Sequence, residues 1–302
     1  MTASVENRKL MVIINPAAGV DRPILGLLNT AMQSAGMQWD VRITHKAGDA
    51  QRVAKEAAAE GWNIIAAHGG DGTVTEVAEG LRGTESILAI FPGGTGNAMA
   101  GELGIPVDLA GAIDLVTAPS LSVKTLDMAQ ANDKPFLLRV GIGLEAQMTQ
   151  VDQELKNRYG VLAYAFNTVN ELRNLVVSHY KIRVDNQEYE AEGISCMIAN
   201  SGNVSTGGLK LSKTIDVTDG LIDVVVFTNA NLLSLLNITL AVLAGEDSME
   251  TGHLMHWQGK DISVEADPSQ SISIDGEQIE PTTIRAKVLP QAIRVVVPKG
   301  VQ

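Results

Sequence analysis

The sequence predicts an α/β domain built on a parallel sheet, followed by a β-rich domain built as an antiparallel sandwich. Between residue 10 and about residue 118, short aliphatic runs alternate with longer helical patterns, the signature of βαβ units. Past Leu121 the pattern changes to many short alternating segments, as in a sandwich or barrel. With 302 residues, 45% of them apolar and 19% charged, the chain is long enough to bury two cores.

The first half reads in order as strand Leu10 to Ile14, helix Pro23 to Ala35, strand Trp39 to Ile43, helix Ala47 to Glu60 and strand Ile64 to Ala67. Helix Thr73 to Leu81, strand Ile87 to Phe91, helix Thr95 to Leu103 and helix Leu109 to Ala118 complete it, with Gly36 and Gly61 as helix ends. Strands in the second half are expected over Val123 to Ala129, Phe136 to Val140, Lys181 to Val184, Ile194 to Ala199, Ile222 to Phe227, Ile262 to Ala266 and Ile272 to Ile274. Asn132-Asp133-Lys134, Asp185-Asn186-Gln187 and Asp275-Gly276 supply the hairpin turns. Two helices interrupt this half, near Val151 to Val177 and Leu232 to Ala244. The change of period places one domain over residues 1–121 and a second over residues 122–289.

Composition removes several classes of function. Lys plus Arg number 23 against 35 Asp plus Glu, and a net charge of −12 opposes nonspecific binding to nucleic acid or to an anionic bilayer. Cys196 is the only cysteine, so no internal disulfide or thiolate metal cluster forms; within Ile-Ser-Cys-Met-Ile it reads as core packing in a strand. Arg8 and Lys9 precede an apolar run that stops at Asn15-Pro16, which does not suit a signal peptide. Leu232 to Ala244 is too short to cross a bilayer, so no transmembrane segment is expected.

The sharpest motif is the strand Ile64 to Ala67 running through His68 into Gly69-Gly70-Asp71-Gly72-Thr73 and a helix containing Glu76. Glycines let the chain turn sharply and let a phosphate approach the backbone, the helix dipole favours an anion, and Thr73 can cap the helix. Asp71 adds a carboxylate able to hold phosphate-bound Mg²⁺. The next strand repeats this logic, leading into Pro92-Gly93-Gly94-Thr95-Gly96-Asn97, and the first strand ends at Asn15-Pro16-Ala17-Ala18-Gly19. Ligands of open α/β sheets bind outside the carboxyl ends of strands, and two glycine loops suit a polyphosphate. Neither loop carries the lysine of a Walker motif. Gly141-Ile142-Gly143-Leu144-Glu145-Ala146 matches the dinucleotide pattern outside a βαβ context and reads as a structural turn. His253 and His256, three apart in a strand, point to opposite faces and read as structural.

Asn15-Pro16 with Gly19, Gly69 to Thr73 with Glu76, Pro92 to Asn97, Asp219-Gly220-Leu221 and Asp275-Gly276-Glu277 resemble, in order, the motifs of the diacylglycerol kinase catalytic family, which includes sphingosine, ceramide and many bacterial lipid kinases. The resemblance implies an NAD-kinase-like nucleotide domain, a β-rich lipid domain and a terminal segment, residues 290–302, that returns to the first domain. It implies ATP and Mg²⁺ as cofactors, with Asn15, Thr44, Gly69, Gly70, Asp71, Gly72, Thr73, Glu76, Gly94, Thr95 and Asn97 around the nucleotide. It also implies that Glu277, which by its residues alone is part of a turn, is the general base for the lipid hydroxyl beside the catalytic Asp71. A metal would be held by the Asp219 side chain and the carbonyls of Asp216 and Leu221, although acidic turns of this kind are also ordinary solvated loops.

Gly96-Asn97-Ala98 is similar to the sphingosine and ceramide kinases, and Glu145 stands where the family often has aspartate, either near a lipid head group or solvated. The expected reaction is transfer of the ATP γ-phosphate to a lipid hydroxyl, diacylglycerol first, by a cytoplasmic protein transiently peripheral to the membrane that meets its lipid substrate at the surface. The rivals are a kinase for another lipid, a kinase for NAD, and a non-catalytic lipid-binding regulator. A homodimer stays open.

Overall fold

A computed structural model describes residues 8–18, 23–143, 176–203, 209–228, 238, 240–280 and 282–300. The expected helix near Val151 to Val177 lies outside them apart from its last two residues, as do Gly19 and Glu145. The chain divides into two compact units, one running to Leu126 and resuming at Gln291, the other formed largely by Asp127 to Pro290.

The first unit is a parallel sheet of β1 (Lys9–Ile14), β2 (Gln38–Ile43), β3 (Ile64–Gly69) and β4 (Ile87–Pro92), in the order β2-β1-β3-β4. Helices α1 (Ile24–Ala35), α2 (Asp49–Ala59), α3 (Asp71–Leu81), α4 (Ala98–Glu102) and α5 (Leu109–Thr117) make the connections. Strands covered by helices on both faces must be continuously apolar. Leu10 to Ile14 and Ile64 to Ala67 are accordingly buried throughout, whereas the edge strand β2 alternates between partly buried and exposed residues. The registers Ile14↔Ile43, Ile14↔His68 and Gly69↔Pro92 bring the carboxyl ends of all four strands level. The chain leaves β1 toward β2 on one side and later lays β3 on the other, so β1 and β3 flank a topological switch point. Arg8 donates to the carbonyls of Val116, Ala118 and Pro119 (3.0, 2.7 and 3.1 Å). Its cation therefore satisfies the orphan carbonyls at the end of α5.

The second unit contains β5 (Val123–Ala131, from Asp127 onward), β6 (Lys134–Phe136), β7 (Arg139–Gly143), β8 (Ser178–Val184), β9 (Gln187–Gly193), β10 (Ser195–Ala199) and β11 (Ile222–Phe227). It continues with β12 (Leu254–Gly259), β13 (Asp261–Asp267), β14 (Ile272–Ile274), β15 (Glu277–Ile279) and the first half of β16 (Ile284–Val296). The end of β16 belongs to the first unit and pairs in parallel with β4 at Val295↔Leu88. One antiparallel sheet runs β12-β11-β10-β7-β14-β15; opposite it, β8 pairs with β9 and β13, and β13 with β16. Val140, Cys196, Ile198 and Val224 of one sheet pack with Tyr180, Ile182, Ile262 and Ile284 of the other, which makes the unit a sandwich. Met197, Ala199 and Val225, on the reverse face, pack with Ile238 and Val242 of the helical residues that end at Ala244. Strands β10 and β11 are thus covered on both faces. Burial pushes the Cys196 thiol pKa up, in keeping with a packing role.

Three local expectations are corrected. The helix expected from Thr95 begins at Ala98, because Asn97 holds a left-handed conformation (φ 42°) and its side chain closes the preceding loop. Phe136 to Val140 is two strands, because the amides of Leu137 and Leu138 leave the ladder for the Asp275 carboxylate. Thr73 is not the cap of α3: Gly70 occupies that position with no side-chain cap, and Thr73 lies inside the first turn.

Candidate functional site

Four segments meet at the level ends of the parallel strands. Asn15 follows β1, donates its amide to the His68 carbonyl (3.0 Å) and donates Nδ2 to Thr73 Oγ1 (3.1 Å). Thr44 follows β2, is buried, and donates both N (2.9 Å) and Oγ1 (3.4 Å) to the Ile14 carbonyl. These bonds tie the exits of β1, β2 and β3 to one another.

The two glycine loops are in contact. The Gly69 carbonyl accepts from the amides of Gly93 and Gly94 (3.0 and 3.1 Å). A Cβ on Gly94 would lie 2.5 Å from the Cα of Gly70, and one on Gly69 would lie 2.5 Å from Thr73 Oγ1. At Gly94 backbone meets backbone, so no side chain can move aside, whereas at Gly69 the obstacle is the Thr73 side chain. Asn97 donates Nδ2 to the Gly94 carbonyl (2.7 Å) and accepts from its amide (3.0 Å), which fixes the second loop. Thr95 lies exposed within it. His68 donates from Nδ1 to the Phe91 carbonyl (3.1 Å); burial pushes its pKa down and that hydrogen bond pulls it partway back.

Asp71 is the first residue of α3. Its Oδ1 accepts from the Met99 amide (3.2 Å), while Oδ2 lies where a Cβ on Gly96 would approach to 2.7 Å. The carboxylate is therefore held between the two glycine loops. The opening amides of α3 have no partner within the helix and no capping side chain, the arrangement that binds a phosphate or carboxylate.

Glu76 lies further along α3. Its carboxylate accepts from the amides of Gly48 (2.9 Å) and Ala50 (3.1 Å), so it caps the start of α2. The structure thus engages Glu76 with a helix terminus.

In the second unit, Asp216 Oδ1 accepts from Thr218 N and Oγ1 (2.9 and 2.7 Å). Asp219 accepts from the Leu221 amide (2.9 Å) and from Gln258 Nε2 (2.8 Å). Partial desolvation pushes the Asp219 pKa up, the Leu221 hydrogen bond pulls it down, and the like charges of Asp223, Asp216 and Asp127 raise it further. Buried Asp223 is bonded to His256 Nε2 (2.6 Å), and buried Asp127 accepts from the Gly220 amide (2.6 Å). Hard oxygen donors under mutual repulsion fit a divalent cation such as Mg²⁺. Among the described residues no three His, Cys, Asp or Glu side chains cluster closely enough to hold a metal. The expected set, one carboxylate with two carbonyls, does not require such a cluster.

Glu277 opens β15 opposite Ile274 and is exposed. The turn before it holds Asp275 at φ 45° and Gly276 at φ 89°, the left-handed pair of a two-residue hairpin. Sequence reasoning passed over Asp127, although a single carboxylate in the apolar run Leu126-Asp127-Met128 is a readable sign of a buried acceptor.

Comparison with known proteins places these features in a family. The diacylglycerol kinase catalytic domain matches over residues 9–131, and the YegS C-terminal NAD kinase beta sandwich-like domain over residues 139–297. A Pseudomonas aeruginosa protein named "Probable lipid kinase YegS-like" is 32% identical over 89% of this chain and 88% of its own length. A Pseudomonas putida protein of the same name is 29% identical over 98% and 97%. A Bacillus anthracis crystal structure described as a "putative diacylglycerol kinase" aligns with TM-score 0.82 and 29% identity over 98% of both chains. With both domain types present, in order and over nearly its whole length, the chain belongs to the YegS-like branch of the diacylglycerol kinase catalytic-domain family.

Proposed function

We propose that the chain is an ATP-dependent lipid kinase that transfers the γ-phosphate to a hydroxyl of diacylglycerol, yielding phosphatidic acid. The observation that carries this reading is the meeting of Asn15, Thr44, the Gly69 to Thr73 loop and the Gly94 to Asn97 loop around the uncapped start of α3. The names of the relatives support the lipid acceptor.

In this reading the opening amides of α3 and the glycine-loop backbone hold the phosphate oxygens. Asn15 fixes Thr73 beneath them, and Thr44 fixes the neighbouring strand exit. Asp71, with one oxygen tied to Met99, is the residue that would hold phosphate-bound Mg²⁺; the ion supplies charge neutralisation across the phosphates. Asp219 with the Asp216 and Leu221 carbonyls would hold a second, structural cation. Glu277 accepts the proton of the lipid hydroxyl as its oxygen bonds to phosphorus and the bond to the ADP oxygen breaks. No helix among the described residues is long and apolar enough to cross a membrane, and the reading has the protein meet its lipid at the membrane surface.

The test is transfer of labelled phosphate from ATP, with Mg²⁺, to micellar diacylglycerol, monoacylglycerol, phosphatidylglycerol, ceramide and sphingosine, with NAD as the soluble acceptor. Labelled diacylglycerol product supports the reading. Another labelled lipid replaces the substrate, labelled NAD replaces the acceptor class, and no product at all points to a non-catalytic lipid-binding protein.

A further inference from the structure

Glu277 sits on the outer strand of a hairpin at the sheet edge. The inner strand β14 is paired to β7 through Ile272↔Ile142, Ser273↔Gly141 and Ile274↔Val140, whereas β15, among the described residues, pairs with β14 alone, through Ile272↔Ile279, Ser273↔Gln278 and Ile274↔Glu277. The turn between them is tied to a further segment by the residue two positions before Glu277. Asp275 Oδ1 accepts from the amides of Leu138 (3.0 Å) and Arg139 (2.9 Å), and Oδ2 accepts from the amide of Leu137 (2.9 Å). Its own amide donates to the Arg139 carbonyl (2.9 Å). One carboxylate thus takes three successive backbone donors, which breaks the expected Phe136 to Val140 strand in two. The carbonyls of the same segment accept from Asn200: Nδ2 donates to Leu137 (2.8 Å) and N to Leu138 (2.9 Å). The anchor is therefore bonded on both sides.

We propose that Asp275 is a positioning residue for catalysis: its carboxylate clamps the 137–139 amides and thereby sets where the Glu277 carboxylate stands. This rests on the reading of Glu277 as proton acceptor. Bonds to a charged acceptor are about twice as strong as neutral ones, so three of them fix the turn beyond what the strand ladders supply. Hairpin formation and anchoring can be separated by mutation. Asparagine before glycine is the strongest two-residue hairpin sequence and tolerates positive φ. Asp275→Asn therefore keeps the turn, but removes the charge and turns an NH₂ group toward a backbone donor.

The experiment measures kcat and KM for ATP in the wild type, Asp275→Asn, Glu277→Gln and the double variant, with melting temperature as the check on folding. The expected result for Asp275→Asn is a kcat lower by about ten- to a hundredfold, as for a misplaced reacting group, with KM for ATP within about twofold. The double variant should be no slower than Glu277→Gln alone, because Asp275 acts through Glu277. Wild-type kcat in Asp275→Asn beside an inactive Glu277→Gln overturns the positioning role and leaves the proton acceptor in place. Losses that multiply in the double variant also overturn it. Full activity in Glu277→Gln removes the proton-acceptor reading, and the proposal with it. Asp275→Ser, which retains one acceptor oxygen, is judged by the same comparison should Asp275→Asn not fold.

Discussion

At the scale of single residues, the division of labour between carboxylates follows from what each already touches. Asp71 keeps one oxygen beside Gly96 while the other is bonded to Met99. Asp71→Asn should keep that bond and lose the charge, so the kinase rate should fall by about 10²–10³ at saturating ATP, the usual loss when a preorganised electrostatic contact is removed. A rate within a few-fold of wild type would show that Asp71 does not carry the metal-bound phosphate. Glu277, exposed and free of the backbone bonds that engage Asp275, is the carboxylate placed to take a proton. Glu277→Gln should cost about 10²–10⁴ in kcat, as for loss of a general base, while the melting temperature stays unchanged. A melting temperature that falls with the activity would instead assign Glu277 to the hairpin.

At the scale of elements, the glycine loops are read best as close contacts between backbones. Gly94→Ala puts a Cβ 2.5 Å from the Gly70 Cα, and the two loops must separate. A displacement near 1 Å in a positioned site costs up to about a hundredfold. The expected outcome is a KM for ATP raised at least tenfold on that scale, with the fold intact by circular dichroism. An unchanged KM would remove this loop from the nucleotide site. Glu76 makes a different prediction, because it caps α2 across the α2–α3 pair. Glu76→Ala should lose about 0.5–2 kcal/mol of stability, the range for a lost N-terminal cap. At roughly 2–4 °C per kcal/mol for chains of this size, a thermal scan resolves that loss. A variant as stable as wild type but with a raised requirement for Mg²⁺ would move Glu76 to the phosphate site. Helix periodicity placed Glu76 on α3, but not what it faces, since Gly48 and Ala50 are 28 and 26 residues away in sequence.

At the scale of the whole molecule, the acidic turn around Asp219 couples stability to pH and to cations. Desolvation and the charges of Asp223, Asp216 and Asp127 oppose its ionisation in the folded state, so its folded pKa lies above the unfolded one. Such a group stabilises the fold at pH below its unfolded value, and that contribution is lost as pH rises through the folded value. At neutral pH without divalent cations, Asp219→Asn should therefore melt higher than wild type. Millimolar Mg²⁺ should raise the wild-type melting temperature and leave the variant's unchanged, because a ligand stabilises only the state that binds it. An equal response of both proteins to Mg²⁺ would exclude Asp219 as a ligand.

The sequence by itself determined the α/β half, the antiparallel half, most element boundaries and the family, because apolar period and glycine turn chemistry are local and survive in one dimension. The run Ile64 to Thr73 reads as a strand, a turn and a helix start without knowledge of any other segment. Only the tertiary structure decided the strand order β2-β1-β3-β4, which makes the exits of β1 and β3 the switch point. It also decided that Asn15 meets Thr73, that Glu76 faces α2, and that Asp275 breaks a strand lying 136 to 138 residues earlier in the chain. These are contacts between polar groups distant in sequence. Any of the chain's many carboxylates and amides could make them, and only the folded backbone selects which do.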